Sequence, residues 1–477
     1  MRTVLFIIVF GAFKHGLYCK QLLEPKSSLV YPAILESRGL SGNRVLKINK
    51  DITLNLKKSS VLADEFLVRS YVGDVLKHTY LDGSYLEEDL FHDENAMASV
   101  SVSEDDGLQV EGMIGDKFRI TPSLEQERAS DGRIAHRLEM IVESYEGLHN
   151  DYVLPQGPVL NITARAANND IYNVKMIYPE IFLLVDTVFR GQFKSERKML
   201  KYICRTFNAM NLRYLSVSNP KVKFRLMGVQ MLTRKQESFL AIMSGLANSI
   251  NGVTSVYNLK DFVGNNSRAY GSYDLVYMIT GRDMVVQMGS HIDNTNMGFA
   301  FVAAACGDRK VGLGEDKAGS YMGVRVMTHE VGHIMGCPHD GDPGPPEFGG
   351  PGSQGCPFAD GYLMSYNTDN LNQYRFSSCC NYLISLMSWS PLGKCLHENN
   401  TKSSFKMISN SLPGKGSSRS TQCKKGFPEL PETYFMKDMP IVNCEMKCFI
   451  PARVYGYKTF LPLSLTDGTK CGVENHV

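Results

Sequence analysis

Thr328-His-Glu-Val-Gly-His-Ile-Met-Gly-Cys-Pro-His-Asp340 carries His329, Glu330, His333, Gly336 and His339 in the order HExxHxxGxxH. On an α-helix, residues i and i+4 stand one above the other on one face, so His329 and His333 can present two imidazoles to a single ion. Glu330 lies one position round the helix. It cannot ligate the same ion, yet its carboxylate can reach a water held there and act as general base. Gly336 comes where a residue free to take positive φ can end the helix and swing the chain back. His339 then arrives as third ligand. Three protein ligands leave one tetrahedral position open, whereas a structural zinc site is closed by four, so the pattern reads as a catalytic Zn2+ centre.

Outward from this motif, the helix expected over residues 319–335 carries Val324, Met327, Val331 and Ile334, an apolar set that should bury it and hold both ligands rigidly. Upstream, the patterning predicts a strand over 181–188, a helix over 195–210, a strand over 222–232, a helix over 236–250 and a strand over 273–280. Such alternation argues for an α/β (α+β) domain, a mixed sheet flanked by helices. Downstream, Gly361-Tyr-Leu-Met-Ser-Tyr366 offers Met364, a soft apolar side chain suited to packing beneath the ligands.

The zinc motif with Asp340 directly after the third His, the Met-turn around Met364, and the strand-like Tyr178-Pro-Glu-Ile-Phe-Leu-Leu-Val-Asp186 resemble the reprolysin (adamalysin, ADAM and ADAM-TS) branch of the metzincin zinc metalloproteases. Within it the chain is most similar to secreted tick salivary metalloproteases. That likeness rests on Gly336-Cys-Pro-His-Asp-Gly341, the Ser377-Ser-Cys-Cys380 pair and the closing Asp467-Gly-Thr-Lys-Cys-Gly472. The resemblance implies a metzincin-like domain with a mixed five-stranded sheet and a zinc helix. It places Phe299-Ala-Phe-Val-Ala-Ala-Ala-Cys306 at the edge strand lining the cleft, where a peptide substrate can add as an extra strand. It pairs Cys306 with Cys395. Cys337, Cys356, Cys379 and Cys380 would form two more bridges of open pairing, and Cys204 is left over on a helix, where a buried free thiol is expected. Glu180 and Asp274 match positions that bind structural Ca2+ in some relatives. Asp340 is read as a supporting group and not a ligand, because ligating imidazoles usually lean on a carboxylate or carbonyl.

The 477 residues suggest more than one domain, and a hydrophobic content of 43% is ample for folded ones. A net charge of +2 gives no electrostatic case for nucleic acid. Residues 1–19 join a positive start to a short apolar run with the dimensions of a signal peptide, and no later run is long enough for a membrane anchor. Cys19 aside, all cysteines lie from Cys204 onward, which implies a disulfide-stapled second half made in an oxidising compartment. Residues 20–173 are charged, free of cysteine and β-rich, with strands expected in 98–102, 107–114 and 117–120. Their position and their likeness to the family's strands imply a propeptide folded over the site. It has no Cys to offer the metal, so latency must be steric or use another side chain. The junction 154–175 has no run of Arg and Lys for a furin-type convertase.

Residues 174–398 are then the protease domain and 399–422, rich in Ser, Lys and Gly, a linker. Residues 423–477 make a four-cysteine module resembling the start of the ADAM-TS cysteine-rich region, with three possible pairings. Asn161, Asn265 and Asn399 head glycosylation sequons. The expectation is a secreted, extracellular zinc endopeptidase, made latent, acting on extracellular proteins; by resemblance these are fibrinogen, fibrin or matrix proteins. A monomer is expected. The competing reading is a secreted binding protein that keeps the fold without turnover, which would have no need of Glu330.

Overall fold

The computed structural model describes residues 27–35, 44–141, 151–153, 174–344, 352–398 and 417–471, apart from positions 74, 116, 247, 290, 368–369, 443, 467–468 and 470 within them. The expected signal peptide, the junction near residue 173 and the sequons at Asn161 and Asn399 lie outside the described residues. Two compact units divide between Lys402 and Ser403.

At the centre of the first unit is an eight-stranded sheet. In chain order its strands are β1 (Leu62–Val72), β2 (Val75–Asp82), β3 (Tyr152–Val153), β4 (Glu180–Val185), β5 (Arg225–Met231), β6 (Leu275–Thr280), β7 (Gly298–Phe301) and β8 (Val311–Glu315). They lie side by side as β3-β7-β8-β6-β4-β5-β1-β2. All neighbours are parallel except β7 with β8 and β1 with β2. Every residue of β4 and β6 is buried, as apolar strands covered on both faces must be. Five strands were expected from the resemblance. Residues 180–315 supply five, and the preceding region adds three, two at one edge and one at the other.

Helices flank this sheet. α1 (Glu196–Arg213) is capped by Ser195 Oγ, which accepts from Lys198 N at 3.3 Å. α2 (Gly252–Asn265) is capped by Asn251 Oδ1, which accepts from Thr254 N at 2.9 Å, and its last residue, Asn265, is exposed. α3 (Gly323–Ile334) and α2 both pack on β7 and β8, and α4 (Ser378–Trp389) follows. The helix expected over 236–250 is not there. Gln236–Phe239 is a single 3₁₀ turn, Leu240 is already extended, Asn248 has positive φ, and Ser249–Asn251 is a short strand. Leu240 reaches the core from extended backbone after the turn and Ile250 from the short strand, so apolar spacing here reflects burial and not helical period.

Residues 27–140 build a second, nine-stranded sheet whose neighbours are all antiparallel, including the expected strands at Ala98–Ser103, Gln109–Ile114 and Phe118–Pro122. Its strand Ala98–Ser103 packs on α1. There Asn208 Nδ2 donates to Ser99 Oγ (2.9 Å), and Arg205 Nη2 pairs with Glu111 Oε1 (2.6 Å). One continuous core holds Leu62, Phe66 and Val68 of β1 together with the residues of β4, β5 and β6, so segments read as separate domains at 20–173 and 174–398 share their interior.

Cys306 pairs with Cys395, Cys337 with Cys380 and Cys356 with Cys379, while Cys204 is a buried free thiol. The second unit has a helix, Arg419–Gly426, and a pair of strands, Glu445–Ile450 with Thr459–Ser464, joined through a helical turn at Ala452–Tyr455 and fastened by Cys423–Cys448 and Cys444–Cys471. The helix begins inside the stretch read as linker, because Ser418 Oγ caps it by accepting from Thr421 N (3.1 Å). Among the described residues, no helix is long and apolar enough to cross a membrane.

Candidate active site

α3 is buried along its whole length and delivers His329, Glu330 and His333 to the end of β7. Gly336, at φ 118°, turns the chain out of the helix, and Cys337 N donates back to Gly332 O (3.0 Å). The chain then returns His339. The Nε2 atoms of His329 and His333 stand 3.0 Å apart, and those of His329 and His339 3.2 Å.

The second nitrogen of two rings fixes what these atoms are. His329 Nδ1 faces Leu363 O at 2.9 Å and His333 Nδ1 faces Cys337 O at 2.6 Å. A carbonyl can only accept, so each Nδ1 carries the ring proton and each Nε2 is a bare lone pair. Burial also pulls both imidazoles toward the neutral form, His333 to about 3. Lone pairs 3.0 Å apart repel unless a cation lies between them. A tetrahedral ion with bonds of about 2.0–2.1 Å keeps its donors roughly 3.3 Å apart, so the three imidazoles fit a metal such as zinc.

Glu330 is 2% exposed, and its Oε2 has no hydrogen-bond partner. Burial, and then the charge of Asp151, hold its carboxyl well above the usual range. Space for it comes from β7, since a Cβ on Gly298 would lie 2.4 Å from Glu330 Oε1. Met364 is fully buried beneath α3, and a Cβ on Gly332 would approach its Sδ to 2.9 Å. The Met-turn thus lies against the helix between the two histidines, and its Leu363 carbonyl orients one of them. Among the described residues, Asp340 accepts from no imidazole N–H. Its Oδ1 accepts from Ser377 Oγ (2.6 Å), the residue that caps α4, and its N–H donates to Met364 O (3.0 Å), so it joins helix end, Met-turn and α4. Burial pushes its carboxyl up to about 6.

Glu180 and Asp274 are neighbours across β4 and β6. Asp274 Oδ2 accepts from Glu180 N (2.9 Å), and burial pushes the Asp274 carboxyl up to about 7. Cys306 and Cys395, whose sulfurs lie near Asp274, are bonded to one another, and the charge of Lys310, whose ammonium donates to Gly271 O (3.0 Å) and Tyr273 O, acts on the same carboxylate.

Three residues at the site carried no reading from sequence. Asp151 is buried with both carboxylate oxygens toward the three imidazoles. Tyr152 packs its ring on His333 and His339 at 4.9 and 4.8 Å and donates to Asp342 Oδ2 (2.8 Å). Tyr366 donates to Asp151 Oδ2 and lies 2.6 Å from His339 Nε2. Tyr366 was within reach, two residues past Met364. Asp151 and Tyr152 were not, because no local periodicity or spacing ties them to α3.

The family described as Metallo-peptidase family M12 (Reprolysin_5) matches residues 180–377. The chain is 25% identical over 377 residues to Venom metalloproteinase BumaMPs1 of Olivierus martensii, covering 78% of this chain and 92% of the relative. It is 25% identical over 391 residues to Venom metalloproteinase antarease TserMP_A of Tityus serrulatus, covering 78% and 94%. A protein of Bombyx mori described as "A disintegrin and metalloproteinase with thrombospondin motifs like" is 27% identical over 262 residues, 52% of this chain and 37% of its own.

Proposed function

From the premise that this chain belongs to the reprolysin branch of the M12 metallopeptidases and is a zinc metalloendopeptidase, we propose that His329, His333 and His339 hold its zinc and that Glu330 is its general base. The convergence of Nε2 lone pairs beside a buried, unpartnered carboxylate carries this reading. Zinc bound there supplies a Lewis acid that polarises the scissile carbonyl and acidifies water. Glu330 takes the proton from the attacking water and returns it to the leaving nitrogen, so one carboxylate serves as base and then as acid. β7 offers backbone groups to which a substrate can add as a strand, fixing the peptide without regard to its sequence. Met364 and Asp340 support the ligands from below.

We take the protein to be exported, with 1–19 as signal peptide, 20–173 as propeptide, 174–398 as the protease, 399–422 as linker and 423–477 as a substrate-docking module. Relatives named as venom metalloproteinases, and five disulfides among the described residues, support export. Extracellular proteins such as fibrinogen, fibrin or matrix components are the proposed substrates, on the likeness of the short motifs to tick salivary enzymes.

Glu330→Gln should keep fold and zinc while lowering peptidase activity about 10²- to 10⁴-fold. Activity within a few-fold of the parent, at equal zinc content, would remove Glu330 from this role.

A further inference from the structure

Asp151 occupies the one position around the imidazoles that the zinc motif leaves to solvent. Its Oδ1 is 2.8 Å from His339 Nε2 and 3.4 Å from His333 Nε2, and its Oδ2 is 3.4 Å from His329 Nε2. These are the separations of four donors round one small ion, and all four atoms lie within 4.8 Å of one another. Despite that proximity, Oδ1 is buried and makes no hydrogen bond. Of the three imidazole atoms that the carboxylate faces, those of His329 and His333 are lone pairs, as argued above. A carboxylate aimed at lone pairs is repelled by them unless a cation is shared.

The backbone holds it there. Asp151 O accepts from Ala300 N (3.3 Å) and Val153 O from Val302 N (3.1 Å), so β3 covers the edge of β7 that a substrate strand would need. Tyr366 fixes the other carboxylate oxygen, and Tyr152 covers two of the rings.

We propose that in the uncleaved chain the Asp151 carboxylate is the fourth ligand of the zinc ion, closing the site against water, and that residues 151–153 must leave before the enzyme can turn over. This rests on the three histidines holding the metal. A region without cysteine therefore has its own metal-directed latch. Three neutral nitrogens and one carboxylate leave a divalent ion with a single net charge, better suited to burial than the doubly charged alternative. Four protein donors make the precursor's site closed, like a structural zinc site, until the fourth donor is removed with the segment that carries it.

Cobalt(II) loaded into the full-length chain reports its own ligands. In the uncleaved protein its pulsed EPR spectrum should show no strongly coupled deuterons of a metal-bound D2O, only the weakly coupled ones exchanged onto the remote imidazole nitrogens, and strongly coupled deuterons should appear after cleavage releases residues 151–153. The full-length Asp151→Ala variant should show them without cleavage. It should also surrender zinc to a chelator about tenfold faster or more, since changes even to the partners of metal ligands cost about 10- to 100-fold in affinity. Tyr152→Ala, which loosens the same segment but keeps the carboxylate, should retain the closed spectrum. A metal-coordinated water in the uncleaved parent, with cobalt on the three histidines, would overturn the latch and leave the proposed zinc site intact. Should Asp151→Ala not fold, the parent spectra before and after cleavage still decide. Failure of the cleaved chain to bind metal at the histidines would instead sink the reading on which the latch rests.

Discussion

The two edges of the central sheet are built on different scales. At one, where β2 is outermost, the strand just inside it, β1, runs for 11 residues, pairs with β5 and β2, and sends Phe66, Leu67 and Val68 into the core shared with β4 and β5. At the other, β3 has two residues and pairs only with β7. Burying a large apolar side chain stabilises by about 1.5–3 kcal/mol, so the long edge holds the N-terminal region to the protease. The short edge adds little of that, yet it brings Asp151 and Tyr152 onto the imidazoles. Attachment and control are therefore carried by different strands of the same region, and each can be changed without the other.

The largest effect should come from the short edge's target. His339→Ala removes one proposed ligand, so peptidase activity should fall by at least about 10²-fold and zinc, measured by metal analysis, should be lost on dialysis. A zinc-replete, active variant would take His339 off the ligand set. Next comes the long edge. Phe66→Ala should cost the full-length chain about 3–5 kcal/mol in denaturant unfolding, through the cavity left between β1 and the core. Below its transition the rate of zinc release to a chelator should match the parent. Release accelerated as much as in Asp151→Ala would mean that the two edges act as one.

The smallest effect tests neither edge but the start of α3. Asp316 is buried and accepts from Tyr202 Oη (3.0 Å) and, at the start of α3, from Gly323 N (3.1 Å). Burial pushes its carboxyl up to about 7. Since its folded value lies above the unfolded one, the folded state binds the extra proton. Its contribution is present below about pH 4 and is lost as pH rises through 7. Asp316→Asn cannot ionise, so the gap in melting temperature between variant and parent should move in the variant's favour from pH 5 to pH 8. A gap constant with pH would show that Asp316 titrates as it does in the unfolded chain.

The zinc helix was legible because its information is local: His329, Glu330 and His333 share a face through helical period alone, and Gly336 marks the turn that returns His339. The buried strands Glu180–Val185 and Leu275–Thr280 were legible for a similar reason, since continuous apolar runs need cover on both faces. Residues 236–250 misled because Leu240 and Ile250 are apolar for burial and do not follow a helical repeat, and only the Asn251 cap starts α2. The pairing of Cys337 with Cys380 and of Cys356 with Cys379 needed the turn after α3 to be set against α4 in space.

By itself, then, the sequence determined the grouping of three imidazoles with a carboxylate beside them and the expectation of an open fourth position, since each follows from spacing along one helix and the turn that ends it. Only the tertiary structure decided what fills that position. Asp151 meets Tyr366 across 215 residues, brought there by strand pairing at β7. A contact at such separation is set by the sum of burial and backbone hydrogen bonding over the whole fold, which no short stretch of chain records.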